Sequence, residues 1–160
     1  MTSLCCDVIS CLQGKSLVTA ESLTGGGIGA ALTGVSGSSA VYKGGIISYT
    51  DWVKHHVLGV PEAVLTTCGA VSENTAKHMV SGVRKLLQAD IAVSVTGLAG
   101  PGGDDYGNPV GTVFIGYQDE THCVVRHFLF SGDRESIRSQ TVQEALKLIL
   151  HFNCEKRACL

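Results

Sequence analysis

LVTAESLTGGGIGA (residues 17–30) starts like a buried strand and ends like a helix. Val18 and Thr19 are β-branched, which suits a strand. Between the two halves stand Glu21, Ser22, Thr24 and three consecutive glycines. A strand-to-helix junction of this composition has two functional readings. Its free N–H groups can cradle a phosphate, as a dinucleotide-binding turn does, or its geometry can hold Ser22 up as a nucleophile.

Upstream, residues 3–13 are expected to form a short helix closed by Gly14. Residues 16–20 are the strand, and a helix opening at Thr24 or the glycines runs to about Leu32. Downstream, residues 45–50 read as the next strand, and Thr50 or Asp51 caps a helix ending near Leu58 and Gly59. Pro61 restarts a brief helical turn. Ser72 is a good N-cap with Glu73 in the first turn, and Ala76, Met79, Val80, Val83, Leu86 and Leu87 recur at helical spacing behind it.

Residues 91–96 are almost continuously apolar, the pattern of a strand covered on both faces. GLAGPGGDDYGNPVG (residues 97–111) is too glycine-rich to be an element, and so long a loop in a compact domain is usually functional. Residues 112–117 and 123–130 are two strands joined by a short polar turn, hence antiparallel. Asp133 caps a last helix reaching about Phe152. Helices alternating with strands cover both faces of one sheet, and the final hairpin makes that sheet mixed. The expected fold is α/β, a three-layer α/β/α sandwich. It occupies residues 1–160 as one domain, with a core of about 16–152 and a tail at 153–160.

With 44% hydrophobic and 16% charged residues, the chain is expected to pack as a globule. The 12 Lys and Arg against 14 Asp and Glu form no basic run, which argues against nucleic acid as a partner. Seven cysteines without a CxxC pair read as reduced thiols in a cytoplasmic protein. No metal is expected, because the six histidines never pair as HxxxH near a Cys couple. MTSLCCDVISCL (residues 1–12) is a poor signal peptide, no apolar run approaches the ~20 residues of a membrane helix, and the closing RACL lacks the prenylation pattern. No membrane association is expected.

Two phosphate motifs are tempting. Gly14-Lys15-Ser16 resembles the end of a Walker A sequence, but the required earlier glycine falls at Ile9 and the motif precedes a strand. Gly25 to Ala30 satisfies G-x-G-x-x-A after a strand, with Asp51 where a ribose-binding acid would lie. Residues 21–24, however, separate strand from glycines, whereas a dinucleotide turn is tight, and six parallel strands are lacking. A Rossmann-type protein and a non-catalytic nucleotide-binding module therefore stay as alternatives. In the nucleophile reading Ser22 needs a base, with Lys54, His55 and His56 as candidates; in the plainer one Ser22 caps the helix.

Six segments, in order, carry a family resemblance: TAESLTGGGIGAALT (19–33), SGSSAVYKGGIISYTDWVKHHVLGV (36–60), GAVSENTA (69–76), VSVTGLAGPGG (93–103), NPVGTVFIG (108–116) and FSGDRESIRSQ (130–140). Together they resemble the C-terminal domain family of the competence/damage-inducible protein CinA, whose stand-alone members include nicotinamide mononucleotide deamidase.

The resemblance implies hydrolysis of the carboxamide of nicotinamide mononucleotide to nicotinate mononucleotide and ammonia, without a cofactor. It implies a Ser–Lys pair carried here by Ser22 and Lys54, with Tyr49, Thr96 and Arg134 lining the site. Glu21, Thr24, Gly25 and Gly26, in the nucleophile turn, are expected to bind the substrate, and the backbone N–H groups near Thr24 to Gly26 are candidates for the oxyanion site. Gly97 and Gly100 would shape the nucleotide pocket, and Arg134 with Arg138 would hold the 5′-phosphate. A homodimer or larger homo-oligomer is also implied. Asp51 stands where the family usually has Asn, and Asp104 and Asp105 make the glycine loop more acidic than usual.

Overall fold

The computed structural model describes residues 1–154; Cys159 and the terminal RACL lie outside the described residues. Five strands, β1 (Leu17–Glu21), β2 (Tyr42–Ile47), β3 (Ile91–Gly97), β4 (Thr112–Gln118) and β5 (Cys123–Leu129), form one sheet in the order β2-β1-β3-β4-β5. β1 pairs in parallel with both β2 and β3, whereas β4 runs antiparallel to β3 and β5 antiparallel to β4. The sheet is therefore mixed and covered on both faces, the expected α/β/α sandwich.

Side chains alternate across a strand, so adjacent residues of β1 and β3 feed different layers. Leu17, Ile91, Val93 and Val95 pack with α1 (Thr2–Cys11), α2 (Gly27–Thr33) and α6 (Arg134–Asn153), through Val8, Ile28 and Leu146 among others. Val18, Ala20 and Ala92 pack with α4 (Glu62–Cys68) and α5 (Glu73–Leu87), through Leu65, Met79, Val80 and Val83. Leu58 and Val60, just after α3 (Asp51–His56), join this second core.

Helix starts are legible where a side chain does the capping. Ser72 Oγ accepts from Thr75 N at 3.1 Å, and Asp133 Oδ1 accepts from Ser136 N at 2.9 Å. α2 behaves differently. It begins at Gly27, its N-cap is Gly26 with φ 98°, and no side chain caps it in the usual way, so Ser22 is not a helix cap. β2 lies three residues before its expected position and alternates between partly covered and exposed side chains, as an edge strand does. Its glycines hid it. Gly45 must lack a side chain, since a Cβ there would stand 2.7 Å from the Tyr42 hydroxyl.

One cysteine expectation is corrected. α1 and α6 pack side by side and bring Cys11 against Cys154, Cα atoms 6.0 Å apart, where they are joined as a disulfide. Cys5, Cys6, Cys68 and Cys123 are free thiols. No helix among the described residues is long and apolar enough to cross a membrane.

Candidate active site

The chain runs from β1 to β2 on one side and later to β3 on the other, which opens a crevice between the carboxyl ends of β1 and β3. Ser22 follows β1 directly, and Thr96 and Gly97 end β3. A cavity of about 320 Å³ lies there, lined by Ser22, Tyr49, Lys54, Thr96, Gly100 and Arg134 among others.

Ser22 is held by its own backbone, whose N–H donates to the Val95 carbonyl at 3.0 Å. Lys54 arrives from α3, a short helix started by Thr50, whose hydroxyl accepts from Val53 N at 3.4 Å. Its Nζ lies 3.1 Å from Ser22 Oγ and donates to the Ser48 carbonyl at 2.7 Å. Lys54 is 1% exposed. Burial holds its ammonium well below the ordinary lysine value, at about 8, while the Asp51 carboxylate pulls the other way. The alternative bases are elsewhere. His55 Nδ1 faces the Val60 carbonyl at 2.8 Å, His56 Nδ1 faces the Trp52 carbonyl at 3.0 Å, and neither lines this cavity.

Glu21 does not face the crevice. The period of the strand turns it to the opposite face from Ser22, under α2. Oε2 accepts from Thr24 Oγ1 at 2.6 Å, Gly26 N at 3.1 Å and Ile28 N at 3.0 Å, and Oε1 accepts from Gly29 N at 2.9 Å. The carboxylate thus occupies the positive end of α2 that a phosphate-binding turn would leave open. This removes the N–H of Gly26 from the oxyanion candidates, and Gly25 N donates to the Ser22 carbonyl at 3.0 Å. Thr24, Gly25 and Gly26 support the turn from behind and do not line the cavity.

The rim is a bridge across the crevice. Arg134 donates to the Gly100 carbonyl at 2.7 Å and to the Tyr49 hydroxyl at 3.1 Å. Arg138, expected beside it, is instead a clamp on the Ser22 turn, donating to the Leu23 carbonyl at 3.0 Å and the Thr24 carbonyl at 3.1 Å. Thr96 Oγ1 donates to the Ala70 carbonyl at 2.7 Å, so its proton is committed and the side chain forms wall. The acidic loop is also self-contained. Asp104 accepts from Tyr106 N, Asn108 N and Asn108 Nδ2, and neither Asp104 nor Asp105 lines the cavity.

The carbonyl of Ser48 and the walls from Ala70, Val71 and Ala99 escape a sequence reading. Backbone acceptors leave no residue-type signal, and small apolar residues look alike in wall and core. Asp51 also lines the cavity, and its position one turn before Lys54 did signal it. Among the described residues, no group of three or more His, Cys, Asp or Glu side chains is placed to hold a metal.

A profile of the CinA C-terminal domain matches residues 5–153. A CinA-like protein of Endomicrobium trichonymphae is 47% identical over 139 residues, covering 86% of this chain and 32% of its own length. A putative competence-damage inducible protein of Thermoanaerobacter pseudethanolicus is 42% identical over 147 residues, covering 91% of this chain and 36% of its own. The chain spans about a third of the length of these curated relatives. Among solved structures, the competence/damage inducible protein CihA of Agrobacterium tumefaciens superposes with a TM-score of 0.92 at 38% identity, covering 95% of this chain and 94% of that one. A CinA superfamily protein of Klebsiella pneumoniae gives 0.90 at 35% identity, covering 92% and 94%.

Proposed function

The chain belongs to the CinA C-terminal domain family, and from that premise we propose that it is an amidohydrolase acting on nicotinamide mononucleotide, releasing nicotinate mononucleotide and ammonia. One observation carries the reading: a buried lysine with its Nζ 3.1 Å from the hydroxyl of a serine at the mouth of a sheet crevice. Taking an ammonium out of water costs several kcal/mol, and the fold bears that cost at the position that faces the Ser22 hydroxyl.

The chemistry follows from that pair. Neutral Lys54 keeps its hydrogen bond to the Ser48 carbonyl and presents its lone pair to the Ser22 hydroxyl. Ser22 Oγ bonds to the carboxamide carbon as its proton passes to Lys54. The oxyanion formed needs donors on the cavity side. The Leu23 N–H, next to the nucleophile and with no hydrogen bond to the described residues, is the donor we assign. The C–N bond then breaks as Lys54 returns the proton to the leaving nitrogen, which departs as ammonia. Water attacks the resulting ester, Lys54 accepts its proton, and Ser22 recovers it when the carboxylate product leaves.

Arg134, fixed across the rim, is assigned to the 5′-phosphate, and the pyridinium ring lies between it and Asp51. A non-catalytic phosphate-holding module fits the geometry less well, because Glu21 already occupies the helix end it would use. The test is ammonia release from the mononucleotide at pH 8.5. The native protein turns over and folded Ser22→Ala and Lys54→Ala do not. Binding without release in the native protein would establish the module instead.

A further inference from the structure

A second groove, of about 480 Å³, adjoins the catalytic cavity and shares Asp51 with it. Its walls are aromatic. Trp52, on α3, is 63% exposed and is backed on one face by His56, ring centroids 4.3 Å apart and planes 18° apart. His56 is held by its own contact with the Trp52 carbonyl at 3.0 Å, so the stack has a fixed orientation. Across from α3, Tyr106 reaches out of the glycine loop and donates its hydroxyl to the carbonyls of Leu65 at 3.2 Å and Thr66 at 2.8 Å on α4. Its ring fills the space over Gly69, where a Cβ would stand 2.7 Å from ring carbon Cδ2.

Two carboxylates, Asp51 and Glu62, line the same groove, and no Lys or Arg does. Among the described residues neither carboxylate has an ion-pair partner. Large aromatic faces left to water are costly unless something covers them. Aromatic faces beside unpaired carboxylates select one ligand chemistry. A weakly hydrated organic cation gains both ring-quadrupole and Coulomb attraction, whereas anions are repelled and neutral rings gain only contact.

We propose that this groove binds a flat or quaternary organic cation, of the N-alkylpyridinium or alkylammonium class, as a docking site next to the catalytic crevice. The site stands on the groove alone and does not rest on the amidase reading. Where both hold, Asp51 hands a pyridinium ring from the groove to the cavity it shares.

The test uses the one tryptophan of the chain as reporter. The indole N–H resonance of ¹⁵N-labelled Ser22→Ala is followed during titration with N-methylpyridinium chloride at pH 8. The probe carries no amide and the variant has no nucleophile, so failure of the amidase reading leaves the result unaffected. A saturable shift of the indole signal is expected, with neutral pyridine at least tenfold weaker. Glu62→Gln, a surface change that leaves the fold intact, weakens the probe about threefold to tenfold. Trp52→Leu, read by saturation transfer to the probe itself, loses most of the binding. A non-saturating shift, equal binding of pyridine, or full binding by both variants overturns the proposal. So do shifts confined to Thr96 and Gly97 with the indole unmoved.

Discussion

Lys54 Nζ lies 3.1 Å from Ser22 Oγ on a side chain that is 1% exposed, so the group set against the serine hydroxyl is also a charge the fold resists. Burial brings its pKa to about 8, and the Asp51 carboxylate pulls it upward. The base form therefore appears as pH rises. We expect kcat/KM for ammonia release to climb through about pH 8 and then level off. Asp51→Asn removes the raising charge and moves that limb to lower pH. A profile flat from pH 6 to 10, or a limb that moves upward in Asp51→Asn, would refute the assignment.

The same burial predicts a trade between activity and stability. The folded chain releases the Lys54 proton near pH 8, whereas an unfolded lysine holds it to about 10.4. Between those values the unfolded chain binds more protons, so stability rises with pH, and below them the folded chain carries the full cost of a buried ammonium. Lys54→Met, which keeps the shape and discards the charge, is expected to be more stable at pH 7 by about 1–3 kcal/mol and to lose about 10²–10⁴ in rate. Urea unfolding at pH 7 and pH 9.5 checks this. The gain should shrink at the higher pH, and a variant no more stable than the native chain at pH 7 counts against it.

Glu21 supports the Ser22 turn from behind. Its carboxylate accepts from Gly26, Ile28 and Gly29 N–H groups and from Thr24 Oγ1. Glu21→Gln turns an amide NH2 toward those donors and leaves some unpaired, at a cost of about 2–4 kcal/mol. Thermal unfolding should show the loss, and ammonia release should fall with it because Ser22 loses its support. Native-like stability in Glu21→Gln would mean that the carboxylate is dispensable.

Arg134 and Arg138 are predicted to separate. Arg134 bridges Gly100 and Tyr49 at the rim, and Arg138 clamps the Leu23 and Thr24 carbonyls. Arg134→Lys keeps one charge but loses the fork, and should raise KM for the mononucleotide about tenfold while sparing nicotinamide riboside, which lacks the phosphate. Arg138→Lys should lower kcat for both substrates equally. Equal KM effects of Arg134→Lys on the two substrates would place the phosphate elsewhere.

The sequence exposed what local chemistry determines. Ser72 and Asp133 announce α5 and α6 because their side chains do the capping, and the apolar run at β3 reads as doubly covered. Ser22, Lys54, Tyr49, Thr96 and Arg134 all line the crevice that their motifs imply. What stayed hidden depends on direction. Glu21 adjoins Ser22 in sequence yet points under α2, because neighbouring strand residues face opposite ways. Arg138 stands one helical turn beyond Arg134, and that turn carries it from the rim to the back of the Ser22 loop. The Cys11–Cys154 link joins residues 143 positions apart and has no local sign at all.

The central claim is that Lys54 makes Ser22 a nucleophile, and a substrate-independent reagent tests it most directly. Pyridine-3-sulfonyl fluoride places an electrophilic sulfur where the carboxamide carbon would sit, and peptide mass spectrometry identifies the residue it modifies. We expect a single adduct on Ser22, formed at a rate that rises through about pH 8 and absent from Lys54→Met. An adduct forming at the same rate in Lys54→Met, or modification that bypasses Ser22 altogether, contradicts the account.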